Sequence, residues 1–217
     1  MSVHLEFLVE DSSGASLLEH VVPQILGPPG QPHTWRIKAY KGIGRLPPGL
    51  KPGADAAKRI LLDRLPQLLQ GYGKTPGIDA VVVVVDSDAR PCAAFLQELN
   101  AMLEACTSQP PQTLFRLAIE EVEAWYLGDM EAILAAYPRA KKSVLAKYQQ
   151  DVPCGTWELL ADAVRPGGAA QLRRTGWPLP GQVKHEWADA IGPRMDIERN
   201  TSPSFRKLRD GLRRLVG

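Results

Sequence analysis

Residues 79–85 read Asp-Ala-Val-Val-Val-Val-Val, and no other segment limits the fold so tightly. Consecutive β-branched residues lose side-chain freedom against the preceding turn of a helix, and this run leaves no polar face for solvent. A strand that is apolar on both faces must be covered on both, as in the interior of a parallel sheet flanked by helices. The run stops at Asp86-Ser87-Asp88, and Pro91 suits the first turn of a following helix that carries Leu96, Leu99 and Leu103.

The same alternation recurs along the first part of the chain. Val3, Leu5, Phe7 and Val9 alternate with His4 and Glu6, which predicts a strand over 3–9 with one strongly buried face. The turn Glu10-Asp11-Ser12-Ser13-Gly14 leads into a helix marked by Leu17, Leu18, Val21, Val22 and Ile25, with Ser16 and Glu19 spaced as a capping box. A second strand is expected at 34–40, after a Pro/Gly-rich break at 27–32, and an exposed loop at 41–53. Ala57, Leu61, Leu65 and Leu68 form a helical stripe over 55–70 despite Pro66. A fourth strand is predicted at 113–119; Glu120 to Trp125 then opens a helical segment, and Asp129 begins a further helix that runs to Tyr137.

From 139 onward the patterns are short and helical, broken at Pro153, Pro166-Gly167-Gly168, Gly176-Trp177-Pro178 and Gly192-Pro193, with no strand. The last helix starts at Ser202-Pro203 and buries Phe205, Leu208, Leu212 and Leu215, leaving Arg206, Lys207, Arg209, Arg213 and Arg214 for its other faces. The expected architecture is an α/β protein with a mainly parallel four-stranded sheet flanked by helices over 1–130. A helical extension, 131–217, packs on it.

A chain of 217 residues has room for one sizeable core with an appendage, and its 44% hydrophobic and 23% charged content argues against disorder. No apolar run approaches the roughly 20 residues needed to cross a bilayer. The start meets acidic residues before any signal-like core develops, so cytoplasm is the expected location. Cys92, Cys106 and Cys154 lack the close pairing of zinc ligands and read as inert thiols. Residues 165–217 hold 11 Lys/Arg against 5 Asp/Glu, a balance of +6, while residues 1–164 hold 15 against 19, a balance of −4. An acidic front suits cations, and a basic tail suits either a phosphate backbone or plain solvation.

In parallel sheets, ligands bind beyond the carboxyl ends of the strands. Three acidic clusters fall there: Glu10/Asp11, Asp86/Asp88 and Glu120/Glu121/Glu123. Mg²⁺, or Mn²⁺, offsets such crowding, since a hard cation takes one or two carboxylates, keeps several waters and accepts phosphate oxygens. Two such ions would suit in-line phosphodiester displacement. Glu10, Asp86 and Asp88 are the expected metal ligands and catalytic residues; Glu123 assists, with Glu121 next, since Glu120 and Glu123 share a helix face. Each cluster alone also reads as a helix cap. Lys41, Arg45, Lys184, Arg206 and Arg209 are candidate contacts to a nucleic-acid backbone, and His185 is either a proton shuttle or part of a surface helix face. No nucleophile elbow or Cys/His pair is present, so covalent catalysis is not indicated.

A strand-end Glu with a later Asp-x-Asp resembles the Toprim domain of topoisomerases, primases and overcoming-lysogenization-defect nucleases. The resemblance implies Mg²⁺ binding by Glu10, Asp86 and Asp88. That Glu is typically followed by Gly, whereas Asp11 follows Glu10 here. Leu8-Val9-Glu10, Val85-Asp86-Ser87-Asp88, Glu121-Val122-Glu123-Ala124-Trp125-Tyr126-Leu127-Gly128-Asp129 and Thr201-Ser202-Pro203-Ser204-Phe205 are similar to a Toprim-like prokaryotic family catalogued as domain of unknown function 4276 and related to the RloB-like proteins. That resemblance implies a nuclease effector working with an ABC- or AAA-type ATPase in a defence setting. A non-catalytic docking subunit, self-associating or bound to the ATPase, and a metal-dependent nucleotide phosphohydrolase are the alternatives.

Overall fold

A computed structural model describes residues 2–47, 60–152, 155–176 and 178–217. Ala57 with the start of the expected helix at 55–70, the latter part of the loop at 41–53, Pro153, Cys154 and Trp177 lie outside the described residues. Four strands, β1 (His4–Val9), β2 (Thr34–Ala39), β3 (Ala80–Asp86) and β4 (Gln112–Ala118), pair in parallel in the order β2-β1-β3-β4. Helices α1 (Ser12–Leu26), α2 (Leu61–Tyr72) and α3 (Cys92–Glu104) belong to the crossovers. Beyond β4 the described residues are helical: α4 (Glu123–Leu127), α5 (Met130–Ala136), α6 (Lys142–Leu145), α7 (Thr156–Val164), α8 (Gly168–Thr175), α9 (Leu179–Ile191), a 3-10 turn at Gly192–Arg194 and α10 (Pro203–Val216).

The valine run explains the layering. Ala80, Val82 and Val84 face a core shared with α1, α9 and α10, while Val81, Val83 and Val85 face a second core built with α2 and α3. Each such valine contributes on the order of 1.5–3 kcal/mol by leaving water. β1 departs from the expected single buried face: Glu6 is also buried, on the face opposite Leu5 and Phe7. Arg36 Nε at 3.0 Å, Lys38 Nζ at 3.1 Å and the Tyr72 hydroxyl at 3.2 Å hold its carboxylate, and burial is outweighed so that Glu6 stays more acidic than usual. The polar half of the alternation is therefore satisfied internally rather than by water.

The start of α1 also differs from expectation. Asp11, not Ser16, is the N-cap, accepting from Gly14 N at 2.7 Å, and Ser16 is already one turn inside the helix. The last helix follows the sequence pattern, with Ser202 as N-cap and Phe205, Leu208 and Leu212 buried.

The segments Glu121–Asp129 and Thr201–Phe205 form one buried knot. Asn200 Nδ2 donates to Trp125 O at 2.8 Å, Thr201 N donates to Gly128 O at 2.8 Å, and Trp125 Nε1 donates to Ser204 Oγ at 3.0 Å. The Trp125 and Phe205 rings meet edge to face at 5.9 Å. Gly128 lies so close to the other strand of the knot that a Cβ would collide with Asn200 Oδ1 and sit 2.8 Å from Ser202 N. Gly128→Ala is expected to destabilise the protein by about 2 kcal/mol or more, read as a lower midpoint in urea unfolding.

Candidate metal centre at the carboxyl edge of the sheet

With strand order β2-β1-β3-β4, the chain steps outward in opposite directions from β1 and β3, so the topological switch point lies between them. Glu10 leaves β1 and Asp86 ends β3 at that point, and Glu10 Oε2 accepts from Asp86 N at 3.0 Å. β4 ends beside them in a strained crossover. Asp88 and Glu120, both at positive φ (48° and 60°), form an isolated antiparallel bridge in which Asp88 N donates to Glu120 O at 3.0 Å. Ser87 Oγ accepts from Glu120 N at 2.9 Å. Such conformations persist only where neighbouring structure holds them.

The expectation that Glu120 and Glu123 share a helix face is corrected by this turn. Glu120 precedes the helix, and its carboxylate caps α7 by accepting from Gly155 N and Thr156 N at 2.7 Å each. Glu121 and Glu123 point together instead, onto Lys184 of α9: Nζ lies 3.0 Å from Glu121 Oε1 and 3.5 Å from Glu123 Oε2. Both Glu123 oxygens and Glu121 Oε2 are buried without a hydrogen-bond partner among the described residues, as is the Tyr126 hydroxyl. Buried carboxylate oxygens in that state are costly unless something further satisfies them.

Electrostatics express the same deficit. Burial, then the charges of Asp88 and Asp11, push the Glu10 carboxyl up to about 7 against the hydrogen bond from Asp86 N and the charge of Arg90. Burial and the charges of Glu10 and Glu123 hold Asp86 well above the carboxylate range, although part of its surface still reaches solvent. Burial and Glu123 push Glu121 up to about 8 despite Lys184, and burial likewise raises Glu123. Burial would discharge Lys184, but Glu123, Glu121 and Asp86 outweigh it and keep the ammonium charged beyond its usual range.

Glu10, Asp86 and Glu123 are thus brought within one electrostatic neighbourhood. Asp88 lies on the solvent side of this group: its charge is felt by Glu10, but its carboxylate is 58% exposed and faces Arg90 at 3.7 Å. A cleft of about 750 Å³ opens beside Glu10, lined by Asp11, Ser12, Tyr40, Lys41, Lys184 and His185 among others. Lys41 therefore reaches the site, whereas Arg45, exposed on the same loop, donates its backbone N–H to Asp63. Arg206 and Arg209 do not line the cleft. Their side chains donate to Asn200 O and Ile197 O, and Arg209 also pairs with Glu198 and Asp210. No local pattern in the sequence marks the pairing of Lys184 with Glu121 and Glu123, since some 60 residues separate the partners.

The donor set fits a hard divalent ion in charge and chemistry, with several oxygen donors short of partners and one ammonium among them. The carboxylates stand apart as they are, for among the described residues no three Asp, Glu, His or Cys groups already converge on one point. No helix among the described residues is long and apolar enough to cross a membrane.

Fold and site together define an α/β protein with a parallel sheet whose carboxyl edge holds a buried acidic cleft. Residues 9–213 match the family model described as Domain of unknown function (DUF4276), and the chain belongs to that family. No curated protein and no solved structure matches it.

Proposed function

We propose that the carboxyl edge binds Mg²⁺ or Mn²⁺ and hydrolyses phosphodiesters, with nucleic acid as the substrate, in the manner of the Toprim nucleases. The observation that carries this reading is the buried group of Glu10, Asp86, Glu121 and Glu123 with one ammonium, that of Lys184, beside them, and with Glu121 Oε2 and both Glu123 oxygens lacking a hydrogen-bond partner among the described residues. Glu10 and Asp86 would hold the ion, with Glu123 beside them and Asp88 entering from the solvent side. When bound, the ion supplies the charge that offsets the carboxylates and polarises a phosphoryl oxygen. The protein's own part is positional: the switch point sets Glu10 against Asp86, α4 presents Glu123, and α9 closes the cleft with Lys184. Lys184 and Lys41 add attraction for a phosphate.

A second reading, a non-catalytic subunit that docks an ATPase or another copy of the chain, is favoured by one observation: the carboxylates are not already converged. Calorimetry separates the two. Titration with Mg²⁺ or Mn²⁺ is expected to give a binding event that weakens at least 10-fold in Asp86→Asn and in Glu123→Gln, with parallel loss of nuclease activity on single- and double-stranded substrates. Absence of binding by the folded wild type would leave the docking role.

A further inference from the structure

The cleft holds a second chemical group that the acidic centre does not use. Ser12 Oγ, at the first residue of α1, lies 2.7 Å from His185 Nε2 on α9, although 173 residues separate them. Both line the 750 Å³ cleft. With Nε2 unprotonated, the Ser12 hydroxyl donates to it, which is the geometry of a nucleophile and its general base.

The two helices meet in register around that pair. Ser16 donates to Asp189 Oδ1 at 2.7 Å, one turn beyond Ser12 and His185 on both helices and again 173 residues apart. Equal offsets mean that α1 and α9 run parallel, so the positive ends of both dipoles face the cleft. Below the polar pairs, Leu17, Leu18 and Val21 share a core with Val183, Trp187 and Ala188. The buried seam already holds the helices together, and an exposed hydrogen bond at the cleft mouth adds little to that.

The backbone beside Ser12 is suited to developing negative charge. Asp11 occupies Gly14 N with its side chain and Ala15 N with its carbonyl. The N–H groups of Ser12 and Ser13 donate to no acceptor among the described residues. The amide following a nucleophilic serine is a recurrent oxyanion donor. Lys41, exposed on the same cleft, favours a phosphoester over a neutral ester.

We propose that Ser12 and His185 form a metal-independent nucleophile–base pair that accepts a phosphoryl group from a phosphodiester. Ser12 Oγ bonds to phosphorus as the bond to the leaving oxygen breaks. The hydroxyl proton passes to His185 Nε2 and from there to the leaving oxygen, releasing an alcohol. Water, deprotonated by His185, then bonds to phosphorus, the Oγ–P bond breaks, and Ser12 recovers its proton.

The test needs no knowledge of the substrate. The protein is treated with a fluorophosphonate, a phosphonylating electrophile with fluoride as leaving group, in the presence of a chelator, and followed by intact-mass and peptide mass spectrometry. A single adduct on Ser12 is expected, absent in Ser12→Ala and formed at least about 100-fold more slowly in His185→Ala. Circular dichroism checks that these variants are folded. No adduct on folded wild type, an adduct on another serine, or equal labelling of His185→Ala would overturn the proposal. Because metal is withheld, this result is independent of the calorimetric test of the acidic centre.

Discussion

With divalent cations removed by a chelator, the protein is expected to lose on the order of 3 kcal/mol of folding stability as the pH rises from about 5 to about 8. Glu10 and Glu121 carry this effect, their carboxyls being pushed up to about 7 and about 8 from an ordinary 4.5. A carboxyl raised in the folded state binds more protons there than in the unfolded chain. Its contribution is complete below the unfolded value and is lost as the pH climbs through the folded one. Solvent reaching both side chains keeps the loss below the sum of the two shifts. Mg²⁺ at about 100 times its dissociation constant is expected to restore about 2.7 kcal/mol near pH 8 and much less near pH 5, where protons already neutralise the cluster. Urea unfolding at a series of pH values, with and without Mg²⁺, measures both effects. A wild-type stability that is flat from pH 5 to 8, or that Mg²⁺ leaves unchanged at pH 8, would contradict the account of the cleft.

Asp129→Ala is expected to cost about 2–3 kcal/mol, the upper part of the range for leaving buried hydrogen-bond donors without their acceptor. Asp129 is buried, and every direction around its carboxylate is used. Ala132 N donates at 3.2 Å, Asp196 N donates at 2.7 Å, and the Arg199 guanidinium donates through Nε and Nη2 at 3.0–3.1 Å. Alanine would leave the first turn of α5 uncapped and the backbone N–H of Asp196 without its acceptor, while the exposed Arg199 keeps Glu131 and Asp196. Asp129→Asn keeps part of the acceptor capacity and is expected to lose less. A midpoint shift within 1 kcal/mol for the alanine variant would mean that the knot tolerates its loss.

How far the sequence spoke depended on whether a signal was local. Five valines in a row specify an interior strand because each face of the sheet independently demands apolar cover, and β3 is buried as that requires. Strand ends were legible for the same reason, and with them Glu10 and Asp86. Glu6 was misread because alternation reports polarity, not exposure, and its partners Arg36, Lys38 and Tyr72 come from β2 and α2. Glu120 was misplaced because a positive φ in a residue with a Cβ leaves no trace in the spacing of apolar residues. The contacts Lys184–Glu123 and Ser12–His185 are products of tertiary packing, invisible to any window of a few residues.

The knot between α4 and the segment before α10 sets an order of events during synthesis. β1, β3 and β4 precede the residues that complete the knot, so Glu10 and Asp86 leave the ribosome before them. The helix bearing Glu123 packs on α7, and the knot that fastens it and the Gly128–Asp129 turn after it is completed by Arg199, Asn200, Thr201 and Ser204, about 75 residues later. A growing chain therefore carries its acidic strand ends for several seconds at ordinary elongation rates before the wall that completes the cleft can close. A later segment of the chain thus acts as the latch of an earlier one.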